Sequence, residues 1–149
     1  MRAVVQRVKE AAVEVDNNLT GEIGPGLLVF LGVGKNDKKQ DADYLLEKII
    51  NLRIFEDADE RLNLSAVDLN KEILVVSQFT LFGDCRKGRR PSFFDAAPPE
   101  EAEDLYKYFL EKINKTDLKI ADGKFQAMMD VSLVNDGPVT ILLDSKKKF

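Results

Sequence analysis

Apolar and polar residues alternate through VVQRV (Val4–Val8) and AAVEV (Ala11–Val15), the period of two expected of half-buried strands. LTGEIG and GLLVFLGVG follow, separated by the turn-forming Gly24–Pro25–Gly26. Leu27–Val33 is apolar on both faces and predicts a central strand. The spacing changes after Gly34. Ala42, Leu45, Leu46, Ile49, Ile50 and Arg53 fall at helical intervals, with Asn36 or Asp37 placed to cap the helix. A polar stretch, EDADERLNLS, gives way to a second strong strand, EILVVSQFTLF (Glu72–Phe82). A basic loop then leads through RPSFFDAAPP to a second helix. Pro98 and Pro99 suit its first turn, and Glu100, Glu101 and Glu103 suit the positive end of its dipole. Its buried stripe is predicted to be Ala102, Leu105, Tyr106, Phe109 and Ile113. The chain closes on β patterns again in LKIAD, FQAMMDVSLV and VTILLD.

Two helices amid about seven strands, without regular β-α alternation, predict an α+β domain. That many strands exceed what two helices cover on an open sheet, so a curled, barrel-like, mostly antiparallel sheet is expected. With 149 residues and no linker or repeat, residues 1–149 are read as a single domain.

Composition narrows the chemistry. An apolar fraction of 44% and a charged fraction of 32% are those of a soluble globular protein. No stretch reaches the roughly 20 apolar residues of a membrane span, and the opening MRAVVQRVKEAAVEV lacks the apolar block of a signal peptide. The single Cys85 permits no internal disulfide and is read as a bystander thiol, so a cytoplasmic location is expected. There is no histidine. Ser-His-Asp and Cys-His catalysis are thereby excluded, as are histidine-ligated metal sites; neither metal nor cofactor is expected. The GVGK at Gly32–Lys35 lacks the spacing and hydroxyl of a phosphate loop. A net charge of −4 argues against a general nucleic-acid coat but leaves room for a local patch, and CRKGRR (Cys85–Arg90) is one. SKKKF (Ser145–Phe149) adds a basic tail.

SQFTL (Ser77–Leu81) puts a hydroxyl, an amide and a second hydroxyl where a buried strand leaves its sheet. Ser77 and Thr80 can simply bond their own backbone there. Alternatively, the amides of Phe79 and Thr80 with the Gln78 side chain can converge on a carbonyl oxygen and stabilise its developing charge. A second unusual stretch is VSLVNDGPVTILL, in which Asn135–Asp136–Gly137–Pro138 interrupts strand-like sequence.

SQFTL, GRRPSF (Gly88–Phe93) and FQAMMDVSLVNDGPVT (Phe125–Thr140), together with MRAVVQRV, TGEIGPGLLVFLGV and NLRIF (Asn51–Phe55), closely resemble the D-aminoacyl-tRNA deacylase family over nearly the whole chain. The resemblance implies a homodimer, with active sites at the subunit interface, that hydrolyses the ester between a D-amino acid and the terminal adenosine of tRNA. It also implies that Gly137–Pro138 is a cis unit presented by one subunit into the pocket of the other. Two rigid carbonyls crowding the α-carbon would leave room for hydrogen but not for an L side chain, a selection by exclusion. Glycine cannot be refused this way, so glycyl-tRNA, including tRNA(Ala) mischarged with glycine, is an expected second substrate. Residue by residue, the resemblance assigns Arg7 to bracing the Gly-Pro unit, Ser77 to the neighbourhood of the adenine, and Ala102, Phe125 and Met129 to the pocket wall. Gln126 departs from the small residue usual after this phenylalanine, which puts the local shape there in question.

Thr80 lacks a histidine base, and no spacing nominates a lysine or aspartate instead. The ribose 2′-hydroxyl beside the ester is already held in one molecule with it. An RNA-assisted reaction is therefore favoured, with Gln78, Phe79 and Thr80 as oxyanion donors. Arg86, Lys87, Arg89 and Arg90 would steer tRNA phosphates. Two alternatives stand beside this reading: a small-molecule esterase using Thr80, and a non-catalytic RNA-binding module in which SQFT reads a base.

Overall fold

The structure is a computed structural model that describes Met1–Phe149. Strand β1 (Arg2–Val15) is a single 14-residue element rather than two, and the rest of the sheet is built around it. On one side it pairs antiparallel with β2 (Asn18–Ile23) and β3 (Gly26–Gly32); on the other it pairs antiparallel with β8 (Asp130–Asp144). Beyond β3 lie β6 (Glu72–Ser77) and β7 (Ile120–Asp122), both joined in parallel. Parallel joints need long crossovers. Helix α1 (Lys39–Ile50) lies in the one from β3 to β6, and helix α2 (Pro99–Ile113) in the one from β6 to β7. The first crossover also carries a small hairpin of β4 (Phe55–Glu56) and β5 (Leu62–Leu64). The result is the expected α+β domain with a curled, nearly closed sheet. Gly21 of β2 lies so near β7 that a Cβ there would sit 2.6 Å from the Asp122 carbonyl oxygen.

The all-apolar strands are explained by two separate cores. Leu27, Val29, Leu31, Ile73 and Val75 face α1 and α2, where Leu45, Ile49, Phe109 and Ile113 are fully buried. Leu28, Leu74 and Val76 face the inside of the curl with Val8, Val13 and Ile23. With both faces of β3 and β6 covered, neither strand has a polar period. The predicted stripe of α2 is also found, with Ala102, Tyr106, Phe109 and Ile113 buried and Leu105 partly so.

Three local expectations are corrected. Helix α1 is capped at Lys38, not Asn36 or Asp37. Asn36 is in a left-handed turn at φ 65°, and the Asp37 carboxylate accepts the Gly34 amide at 2.6 Å. The carboxylate of Asp41 instead accepts the Lys38 amide at 2.8 Å. Arg53 lies beyond the helix and donates to the Asn63 carbonyl. Phe125–Met129 is not strand: Gln126 sits at φ 60°, the chain turns there, and β8 starts only at Asp130.

Asp41 also ties the C-terminal segment to α1, accepting from Lys146 Nζ at 2.7 Å. Burial opposes its ionisation, but the bonds from Lys146, Ser145 and the Lys38 amide win and hold its pKa at about 2. A depressed carboxylate stabilises the fold above its unfolded pKa and loses that effect as pH falls towards the folded value. Asp41→Asn is therefore expected to be less stable than the parent at pH 7, with the gap closing between about pH 4 and pH 2 in urea unfolding series. A constant gap across that range would show that Asp41 acts through packing alone.

Candidate active site

Strand β6 ends at Ser77, and the chain turns directly into a 3-10 turn, Phe79–Phe82. Gln78 is the joint, at φ −145° and ψ 84°, anchored through its amide to the Leu31 carbonyl at 2.8 Å. The turn's carbonyls are used from within, since Leu81 donates to Gln78 and Gly83 to Thr80. The amides of Phe79 and Thr80 open the turn and have no carbonyl behind them to bond. They are free donors at the end of a rigid buried strand. The Gln78 side-chain amide donates to the Thr80 hydroxyl, which fixes both polar side chains relative to them.

These residues line a cleft of about 1060 Å³. Ser77, Gln78, Phe79, Thr80, Ala102, Phe125 and Met129, seven residues singled out from the sequence, all lie on its wall. The turn at Gln126 that breaks the expected strand is what wraps Phe125 to Met129 around it. Phe125 packs on Tyr106 with ring centroids 5.6 Å apart, and Phe79 meets Phe93 edge-on at 5.0 Å. The wall is mostly apolar, which strengthens any hydrogen bond made inside it.

The cleft contains no general base for Thr80. Lys35 is the only charged side chain on the wall, and its ammonium lies 3.4 Å from the centroid of the Phe94 ring. The Tyr106 hydroxyl donates to the Val75 carbonyl at 3.0 Å. Burial, then the charge of Asp122, pushes its pKa far above the ordinary value, so it remains a neutral donor. No carboxylate lines the wall either.

Arg7, Gly137 and Pro138 are not part of this cleft; they form a second cluster. Along the β1–β8 ladder Gln6 faces Thr140 and Val8 faces Asn135, so Arg7 alone stands opposite Asp136–Val139. Those residues bulge out of the ladder. Gly137 and Pro138 are exposed at the crest, and the peptide between them is cis. Gly137 has φ 122°, and a Cβ there would lie 2.9 Å from Val139 Cγ2 and 3.0 Å from Arg7 Nη2, so only glycine fits. Arg7 is buried, donating from Nε to the Asp136 carbonyl at 3.2 Å and from Nη1 to the Ile54 carbonyl at 2.8 Å. Its charge is met by Asp136 at 3.3 Å and Glu56 at 3.7 Å. Asn135 closes the neck of the bulge, its Nδ2 donating to the carbonyls of Arg7 at 2.9 Å and Val139 at 3.0 Å. Sequence reasoning saw Asn135 only as a turn former; what identifies it is the register gap, which no spacing in the sequence shows.

The basic residues lie in a loop outside the cleft wall. Asp84 and Ser92 exchange backbone bonds of 2.8 and 2.9 Å at its base. Arg86 is engaged by Asp84, with Nη2 to Oδ2 at 2.8 Å, while Lys87, Arg89 and Arg90 are exposed.

Residues 4–144 match the model of the D-Tyr-tRNA(Tyr) deacylase family. The chain is 62% identical over 149 residues to a D-aminoacyl-tRNA deacylase of Halothermothrix orenii and 61% identical over 149 residues to one of Thermosipho africanus, each alignment covering 100% of both chains. Among solved structures it is similar to a c-Myc DNA Unwinding Element Binding Protein, with a TM-score of 0.91 at 46% identity over 97% of this chain and 98% of that one. A probable eukaryotic D-amino acid tRNA deacylase shares the fold, with a TM-score of 0.78 at 16% identity over 95% of this chain and 97% of that one.

Proposed function

We propose, from the premise that this chain belongs to the D-Tyr-tRNA(Tyr) deacylase family, that its D-aminoacyl-tRNA deacylase activity runs on backbone donors and on the substrate's own hydroxyl. The observation that carries this reading is the pair of unbonded amides at Phe79 and Thr80 in a cleft with no base. The ester carbonyl sits against those amides, with the Gln78 side chain holding Thr80 in place. As a nucleophile adds, the negative charge developing on that oxygen is met by donors already fixed in position. Water is the nucleophile, and the 2′-hydroxyl of the terminal ribose, adjacent to the ester, positions it and relays its proton to the departing 3′-oxygen, the part that Thr80 cannot fill without a base. Ser77 contacts the adenine, and Ala102, Phe125 and Met129 shape the pocket.

Chirality is read by the second cluster, delivered from a partner copy in a homodimer. The absence of Gly137 and Pro138 from the wall of their own chain's cleft, their exposure and the bracing of their bulge by Arg7 and Asn135 support delivery in trans. Their carbonyls face the α-carbon and leave space for hydrogen only. They also accept from the substrate's ammonium, for which the cleft wall offers no carboxylate. Glycyl-tRNA, including glycine on tRNA(Ala), passes the same filter because it carries hydrogen at both positions. A cytoplasmic location fits a tRNA substrate, and no helix is long and apolar enough to cross a membrane.

Two assays test the chemistry. D-Tyrosyl-tRNA ending in 2′-deoxyadenosine, esterified through the 3′-hydroxyl, is expected to be hydrolysed at least about a hundredfold more slowly than its ribose counterpart; equal rates would assign the activation of water to the protein. Simple aryl esters are expected to remain intact, and their rapid cleavage would point to a general esterase. The exposed cations act on encounter: Arg89→Glu with Arg90→Glu is expected to raise KM in a salt-sensitive way with little change in kcat. An unchanged KM would remove the loop from tRNA binding.

A further inference from the structure

The rim of the cleft holds a ring that nothing in the fold explains. Phe94 is 76% exposed and lines the cleft, whereas its neighbour Phe93 is half-buried and engaged edge-on by Phe79. Lys35 stands over the Phe94 ring at 3.4 Å and takes part in no ion pair. The two are held side by side by backbone, with the Lys35 amide donating to the Asp95 carbonyl at 2.9 Å and Gly34 bridging Ala96. The loop that carries Lys87, Arg89 and Arg90 closes at Ser92, two residues before Phe94. An exposed aromatic face beside unpaired cations, on a chain whose net charge is −4, is the local chemistry of single-stranded nucleic-acid sites. Asp95 is the nearby opposing charge, and it acts on Arg86 of the same loop.

We propose that Phe94 and Lys35 form a subsite for the nucleotide on the 5′ side of the terminal adenosine. The base of that nucleotide stacks on the Phe94 ring, and the Lys35 ammonium leaves the ring for the phosphate linking the two nucleotides. An exposed cation–π contact is weak enough to be exchanged in this way. Stacking reads no hydrogen-bond pattern, so the subsite adds affinity for a single-stranded 3′ end without selecting among tRNAs. This inference rests on the deacylase reading and extends it by one nucleotide.

The test compares the D-tyrosyl ester of adenosine with the D-tyrosyl ester of cytidylyl-adenosine. For the unaltered protein, adding the cytidylyl unit is expected to raise kcat/KM by roughly 5- to 150-fold, the range for one base on one aromatic ring. Phe94→Ala is expected to abolish most of that ratio and Phe94→Tyr to keep it. Lys35→Ala is expected to lower the ratio and to make the dinucleotide ester less salt-sensitive by about one phosphate contact. A ratio of one in the unaltered protein would overturn the subsite, as would a loss in Phe94→Ala that is equal for both esters. A change in oligomeric state caused by Phe94→Ala would overturn it too, by making the ring a protein contact. All three outcomes leave the deacylase reading standing, whereas failure to hydrolyse either ester would overturn both.

Discussion

Replacing Arg7 with alanine is expected to lower stability by about 3 kcal/mol and to erase most of the discrimination between D and L esters. The guanidinium is buried and fills the gap that Asp136–Val139 leaves in the β1–β8 ladder. Removing it leaves the Ile54 carbonyl without its donor at 2.8 Å and frees the Asp136 carbonyl at the base of the bulge. The loss is thus felt in the fold and in the aim of Gly137 and Pro138. Arg7→Lys keeps a charge near Glu56 and Asp136 but not the fork that reaches both carbonyls, so partial recovery of stability with poor discrimination is expected. Asn135→Asp exchanges the amide donor for an acceptor facing the carbonyls of Arg7 and Val139, and is expected to act in the same direction. Urea midpoints measure the first effect and the ratio of kcat/KM for D- and L-tyrosyl-tRNA the second. If the ratio survives while stability falls, Arg7 supports the fold alone.

The second large effect concerns the backbone. Phe79→Pro deletes one N–H at the first position of the 3-10 turn, where proline is tolerated, and Gln78 before it, at ψ 84°, lies outside the α region that a following proline disfavours. A fall in kcat of ~10²–10³ is expected, because one preformed donor to the oxyanion is gone. Phe79→Ala removes the ring but keeps the amide, and serves as the control with a smaller loss. Thr80→Ala is expected to turn over near normally, since in the proposed mechanism its hydroxyl holds position rather than attacking. Near-normal kcat in Phe79→Pro, or complete loss in Thr80→Ala, would reverse these assignments.

Much of this was legible in the sequence, and the reasons differ by element. Leu27–Val33 and Ile73–Val76 are apolar on both faces, so their burial needed no knowledge of partners. The stripe of α2 could be read because helical spacing is local. Ser77–Thr80 marked the cleft because polar groups at the end of an apolar run must meet something. What escaped depends on residues far apart in the chain. The cap of α1 falls at Lys38 because Asp37 is already used by Gly34. Phe125–Met129 has the composition of a strand, but a left-handed Gln126 turns it into a wall of the cleft. The Arg7–Ile54 bond and the Asn135 clamp join segments separated by 47 and 128 positions. Lys35 and Phe94 meet only because Gly34 bridges Ala96.

In the proposed reading one cluster holds the ester and the other refuses a hand, which makes stereochemistry the decisive observable. Matched D- and L-tyrosyl-tRNA incubated with the purified protein, with release of free tyrosine followed in time, measures it directly. Rapid release of D-tyrosine with the L ester left intact is the expected result. Comparable release from both esters would contradict exclusion by the Gly137–Pro138 carbonyls, and release from neither would contradict hydrolysis at the Phe79–Thr80 amides.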